Sequence, residues 1–210
     1  MLRRTIILML APVVFVVAAL VVGDIFARIK VQQLIAQRIE HQVPGSHATV
    51  KISSFPFVGH LLVSGSVSKV SAHVTGVTEG GFTFAAVDVD VTDLALDRTK
   101  LLQGKVQVSK VTDVVVQATM DQAALDRVVG QPVVLGQGTV GLASTVVAAS
   151  VSVSGNVIHI GPNPGGVSVT VPALSLLPCV SGAVVSPGRM VISCTTTTVP
   201  PAFSVSSLTG

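Results

Sequence analysis

Val87-Asp88-Val89-Asp90-Val91 alternates an apolar with an acidic residue at every step, and that period of two decides the fold. Successive side chains of a β-strand point to opposite faces, so the three valines share one face and the two aspartates the other. The same alternation runs upstream through Leu61, Val63 and Val67, then through Val70, Ala72 and Val74, set against Ser and His. Downstream, Val114, Val116, Ala118 and Met120 repeat it. These runs are long for strands, and their phase slips near Ser68-Lys69, between Ala86 and Val87, and near Thr92-Asp93. A one-residue slip is what a β-bulge does to a strand that bends while keeping its apolar face inward. Long, curved strands enclosing either side chains or a ligand are therefore predicted.

Further strand runs follow at 140–142, 146–153, 157–160, 167–171, 183–185 and 190–194, with a turn-rich Gly161-Pro-Asn-Pro-Gly-Gly166 between two of them. One helix interrupts the body. Thr119 or Asp121 offers a cap, Ala123, Ala124 and Leu125 favour helix, and Gly130 followed by Pro132 stops it, which predicts a helix over 121–129.

Ile6 to Val22 is an unbroken run of 17 apolar residues behind Arg3 and Arg4. As a helix it spans about 26 Å, slightly short of a hydrocarbon core of about 30 Å. It reads as an uncleaved transmembrane anchor, with a cleaved signal peptide as the alternative. From Asp24 to Gln42, Ile25, Ile29, Ala36 and Ile39 share an approximate helical face, which predicts a connecting helix over one end of the β-domain. The implied divisions are 1–23 for the anchor or signal, 24–47 for the connecting helix and linker, and 48–210 for the β-rich domain.

Cys179 and Cys194, the only cysteines, flank Ser186-Pro187-Gly188. A hairpin turning there brings the sulfurs together, and a bridge places the domain in an oxidising compartment. The alternative is a pair of buried free thiols.

Ser53 to Gly65 reads S-S-F-P-F-V-G-H-L-L-V-S-G and carries two of the seven Phe in a chain with no Trp or Tyr. Pro56 lacks a backbone N–H and disfavours a helical lead-in, so the segment reads as strand, rigid corner, strand, with Phe55 and Phe57 at the bend. Two rings there either plug the end of a β-layer or form a lip that touches a ligand. The order V-K-I-x-x-F-P-F-V-x-x-L-L-x-x-G-x-V-x-x-V over Val50 to Val70, behind an apolar segment and ahead of a β-rich remainder, resembles the actinobacterial LmeA-like phospholipid-binding family over roughly residues 20–205. The resemblance implies an elongated, barrel-like curved sheet around an apolar cavity, similar to tubular lipid-binding folds. It also implies phospholipid binding on the outer side of the cytoplasmic membrane in support of lipoglycan synthesis. Phospholipid, the membrane and a cell-envelope glycosyltransferase system are the partners it suggests.

Composition fits that picture and excludes others. Apolar residues make up 49% and charged residues 11% of the chain, less than half the usual quarter, so Ser, Thr, Gly and Gln fill the polar positions. Arg3 and Arg4 supply two of the 13 basic residues, leaving 11 against 10 acidic from Asp24 onward, a net of +1. With no basic stripe and no Tyr or Trp to stack on bases, a nucleic-acid partner is not expected. Gly136-Gln-Gly138-Thr-Val-Gly141 matches G-x-G-x-x-G, yet the β-branched, Ser-rich stretch after it opens no helix, so it reads as a strand connection. Asp88 and Asp90 fall on a solvated strand face, the five His are scattered, and no nucleophile motif occurs, so neither metal, cofactor nor enzyme activity is expected.

The sequence therefore predicts a mostly β, α+β protein: a transmembrane helix, then a curved β-domain with one or two helices that binds phospholipid in an apolar cavity. Phe55 and Phe57 are expected near its mouth, and Leu61, Val63, Val87, Val89, Val91, Val114 and Val116 along its lining. Lys51, Lys69 and Lys105, each near a strand end or phase slip, are candidates for a head-group rim. The alternative is a membrane-anchored scaffold that docks a cell-envelope enzyme. The domain is placed outside the cytoplasm, tethered to the cell membrane, or secreted or periplasmic if the N-terminal segment is cleaved.

Overall fold

The computed structural model describes residues 2–54, 56–57, 59, 61, 64–97, 99–100, 108–142, 145–147, 151–161 and 167–201. Helix α1, Leu2–Gln42, is a single element of 41 residues, about 60 Å long, so no break separates an anchor ending at residue 23 from a connecting helix beginning at 24. Among the described residues no helix is long and apolar enough to cross a membrane, which corrects the expected transmembrane helix.

The second half of α1 packs on the β-body. Asp24, Ile39 and Val43 are buried, and Val31 and Ile35 pack against the core. Spacings of four and seven put Asp24, Val31, Ile35 and Ile39 on one face. Ile25 and Ile29, expected on that face, are exposed instead. The expectation followed apolar residues only, whereas the buried face includes an acid.

After a turn at Gly45 come β1 (His47–Ile52), β2 (Ser66–Glu79), β3 (Phe82–Leu96), β4 (Val108–Lys110) and β5 (Asp113–Asp121). Helix α2 (Gln122–Val129) ends on Gly130 in the left-handed region, as the Gly-x-Pro signal predicts, although Asp121 makes no side-chain capping bond. Then follow β6 (Val133–Leu135), β7 (Val140–Leu142), β8 (Thr145–Val147), β9 (Val151–Ser154), β10 (Val157–Ile160), β11 (Val167–Thr170), β12 (Gly182–Ser186) and β13 (Arg189–Thr196). The expected strand over 146–153 is thus two, β8 and β9, with 148–150 outside the described residues.

The main sheet is antiparallel in the order β1-β2-β3-β5-β13-β12, with β4 on the end of β3. Two three-stranded meanders accompany it, β6-β7-β8 and β11-β10-β9. Among the described residues these sheets are open, β1 and β12 forming the ends of the large one, so the barrel-like part of the expectation is not met. The β1 edge is protected by α1, where the Glu40 carboxylate accepts the Ala48 N–H at 2.9 Å. The G-x-G-x-x-G stretch forms the β6–β7 connection, closed by the Gly136 N–H donating to the Thr139 carbonyl.

The phase slips mark kinks in the β2–β3 pair. Val74 and Val77 are both buried although three positions apart, which breaks the alternation, and so are Val87 and Phe84 opposite them. The register does not shift across this point; the Gly76–Ala85 rung simply drops out of the ladder in both strands. The Ser68–Asp93 rung does the same. Where a bulge was expected in one strand, a matched kink in both resets the pleat and keeps the apolar face inward. Gly76 makes the first kink with φ 71° and Asp93 the second with φ 50°. A Cβ on Gly76 would also meet the Gly45 carbonyl oxygen at 3.0 Å. Gly76→Ala is therefore expected to lose about 1–3 kcal/mol, read as a lower melting temperature; an unchanged melting temperature would refute the kink's dependence on glycine.

Residues 53–65 correct the strand-corner-strand reading. Phe57, Gly59 and Leu61 are helical, the Gly65 N–H donates to the Leu61 carbonyl at 3.1 Å, and Gly65 has φ 65°. Pro56 suits the first turn of a helix, because its missing N–H is one that helix geometry leaves unused, and glycine suits the position just past the end. Proline followed nine residues later by glycine thus brackets these three helical residues, and β2 begins only at Ser66.

Candidate functional site

The inward face of the main sheet is built from three rows that the register fixes across its strands. Val50, Ala72, Val89, Val116 and Cys194 lie side by side on β1, β2, β3, β5 and β13. On one side of that row lie Ile52, Val70, Val91 and Val114, and on the other Ala48, Val74, Val87, Ala118 and Ile192. Strands are about 4.8 Å apart and alternate residues about 6.7 Å apart, so the patch measures roughly 19 by 13 Å. None of its side chains can ionise or hydrogen-bond strongly.

A sheet face is not buried by its own strands. The same buried cluster takes in Ile39 of α1 and Val43 just after it, Ala124 and Leu125 of α2, Ile158 and Ile160 of β10, and Leu174, Leu176 and Leu177 of the segment after β11. That segment is tied to the β2–β3 hairpin, where the Glu79 carboxylate accepts both the backbone N–H and the hydroxyl of Ser175. It is tied to β13 by the Cys179–Cys194 disulfide, with Cα atoms 5.3 Å apart, within the usual range for a bridge. The bridge replaces the alternative of two free thiols.

Val87, Val89, Val91, Val114 and Val116 all sit in these inward rows and are buried. Phe57 is buried too, at 4% exposure, and Leu61 packs partly against the core. Phe55, Val63 and Lys105 lie outside the described residues. Lys51 and Lys69 are on the outward face, alternating with the inward rows. Lys69 faces Asp90 at 3.2 Å, an exposed pair of the kind that contributes about 0–1 kcal/mol. The outward face is polar as the alternation predicts: His73 bonds Asp88, and Ser71 bonds Asp90. On the small sheet, His159 pairs with Ser168.

Sequence reasoning missed the contact that fixes the corner. The carboxylate of Asp24, on α1, accepts the Phe57 N–H at 3.0 Å, and both residues are buried. The bond spans 33 residues, so no local spacing announces it. The one available signal was that Asp24 is the first charge after the apolar run, at the point where the helix meets the body. Among the described residues no group of three His, Cys, Asp or Glu could hold a metal ion.

Such an arrangement defines an α+β protein organised around a broad aliphatic interior, with hydroxyls and isolated charges turned outward. The chain belongs to the LmeA-like phospholipid-binding family, whose family model matches residues 22–201. No curated protein and no solved structure matches it.

Proposed function

We propose that this protein binds phospholipid by taking acyl chains against the three inward rows of the main sheet, and that it acts on the outer side of the cytoplasmic membrane in support of cell-envelope lipid or lipoglycan metabolism. The observation that carries the reading is a wide face, aliphatic except for Cys194 at its β13 end, in a chain of a phospholipid-binding family. An acyl chain asks for nothing else: each buried CH₂ contributes about 0.8 kcal/mol, so a dozen give on the order of 10 kcal/mol without a polar motif. Part of that is offset, because the valines already bury one another and a lipid must replace those contacts. The strands β6 to β11 are three or four residues long and carry few ladder bonds, so they part more readily than the long strands β2, β3 and β5. The disulfide supports the extracytoplasmic location, since such bridges persist in oxidising compartments. Binding, rather than catalysis, is the role proposed.

The test is native mass spectrometry with lipid extraction on the full chain purified from membranes. Stoichiometric phospholipid is expected, and Phe57→Ser, in a variant still folded by circular dichroism, should lower its occupancy. A folded protein free of lipid would overturn the reading in favour of a scaffold that docks an envelope enzyme, which a stoichiometric protein partner would then establish.

A further inference from the structure

We propose that the Ser54 hydroxyl is the hydrogen-bonding point for an ester carbonyl of the bound lipid, marking where an acyl chain leaves the aliphatic interior. The inference rests on the phospholipid reading above and names the polar contact of that same site.

Ser54 is 4% exposed, and among the described residues its Oγ is the buried side-chain polar atom left without a partner. Buried hydroxyls are ordinarily paired, and an unpaired one is destabilising unless something else completes it. Its isolation has a structural cause. A serine just ahead of a helical turn normally accepts an N–H from the residue two or three positions on. Two positions on is Pro56, which has no N–H. Three positions on is Phe57, whose N–H is already taken by the Asp24 carboxylate at 3.0 Å. Both local partners are thus removed, one by ring chemistry and one by a residue from α1.

The surroundings select what can complete it. A hydroxyl offers one proton, and its simplest complement is an acceptor that brings no proton of its own. A phosphate oxygen fits poorly, because burying its charge costs far more than burying a neutral carbonyl. An ester carbonyl is neutral, accepts readily, and is attached to the acyl chain that the neighbouring Ile52 and Phe57, both buried, would receive. Because Ser54 is covered as it stands, the corner around Phe57 must part to admit the carbonyl.

The test titrates the full chain with dioleoyl phosphatidylethanolamine and with the dialkyl ether of the same head group, which lacks both carbonyls. The wild-type protein is expected to bind the diester about 3- to 10-fold more tightly. Ser54→Ala should abolish that preference by weakening the diester alone, and without lipid it should melt no lower than wild type. Equal wild-type affinity for diester and ether would overturn the Ser54 inference while leaving lipid binding intact. So would a Ser54→Ala variant that weakens both lipids alike, or one that melts lower without lipid. Failure of the wild type to bind either lipid would overturn the phospholipid reading, and the Ser54 contact with it.

Discussion

Phe84→Ala is expected to destabilise the protein by about 3–5 kcal/mol, the largest loss for a single truncation in this core. Phe84 is 1% exposed and lies on β3 beyond the Gly76–Ala85 kink, opposite Val77. Its ring stacks on that of Phe82, with centroids 6.2 Å apart, a pairing that adds about 0.5–1.5 kcal/mol to the burial itself. The hole cannot easily be refilled. The surrounding core is dominated by valine, whose single stiff side-chain torsion leaves little room to swing into a vacated volume. The urea midpoint should fall with an unchanged m-value. A loss below about 1 kcal/mol would mean that the hairpin end of the β2–β3 pair does not unfold with the rest.

Replacing Cys179 and Cys194 together by Ala is expected to lose about 3 kcal/mol, the chain-entropy cost of opening a loop of this size. The two cysteines are 15 positions apart, and the bridge ties the Leu174–Leu177 segment to β13. For a domain of this length that loss corresponds to roughly 6–12 °C in melting temperature. A reductant added to the wild-type protein should reproduce the shift. A melting temperature indifferent to both treatments would show that the segment is held without the bridge.

Much of the fold could be read because alternation is a local signal that burial enforces. Val87, Val89 and Val91 lie inward and Asp88 and Asp90 outward, and the breaks in phase at Ser68-Lys69, Ala86-Val87 and Thr92-Asp93 adjoin the two dropped rungs. The nature of those breaks could not be read, because one strand's sequence does not say whether its neighbour kinks at the same rung. The helical placement of Phe57, Gly59 and Leu61 was hidden by attending to what Pro56 forbids before it rather than what it permits after it. Which valines share a row follows from pairing register, which strand sequences leave open until β13 is seen to join β5. The candidate site was hardest of all. An aliphatic face encodes no motif, and its one polar feature depends on Asp24 meeting Phe57 across 33 residues.

The central claim is that acyl chains lie against the inward rows of the main sheet. The most direct measurement is photocrosslinking of the full chain with a phosphatidylethanolamine carrying a diazirine midway along one acyl chain, followed by mass-spectrometric mapping. Adducts are predicted on Val89, Val116 and Ile192, with their outward neighbours Asp88, Gln117 and Ser193 left unmodified. Adducts confined to outward residues or to the exposed side of α1, such as Phe26, would contradict it and describe a protein that rests on lipid without taking it in.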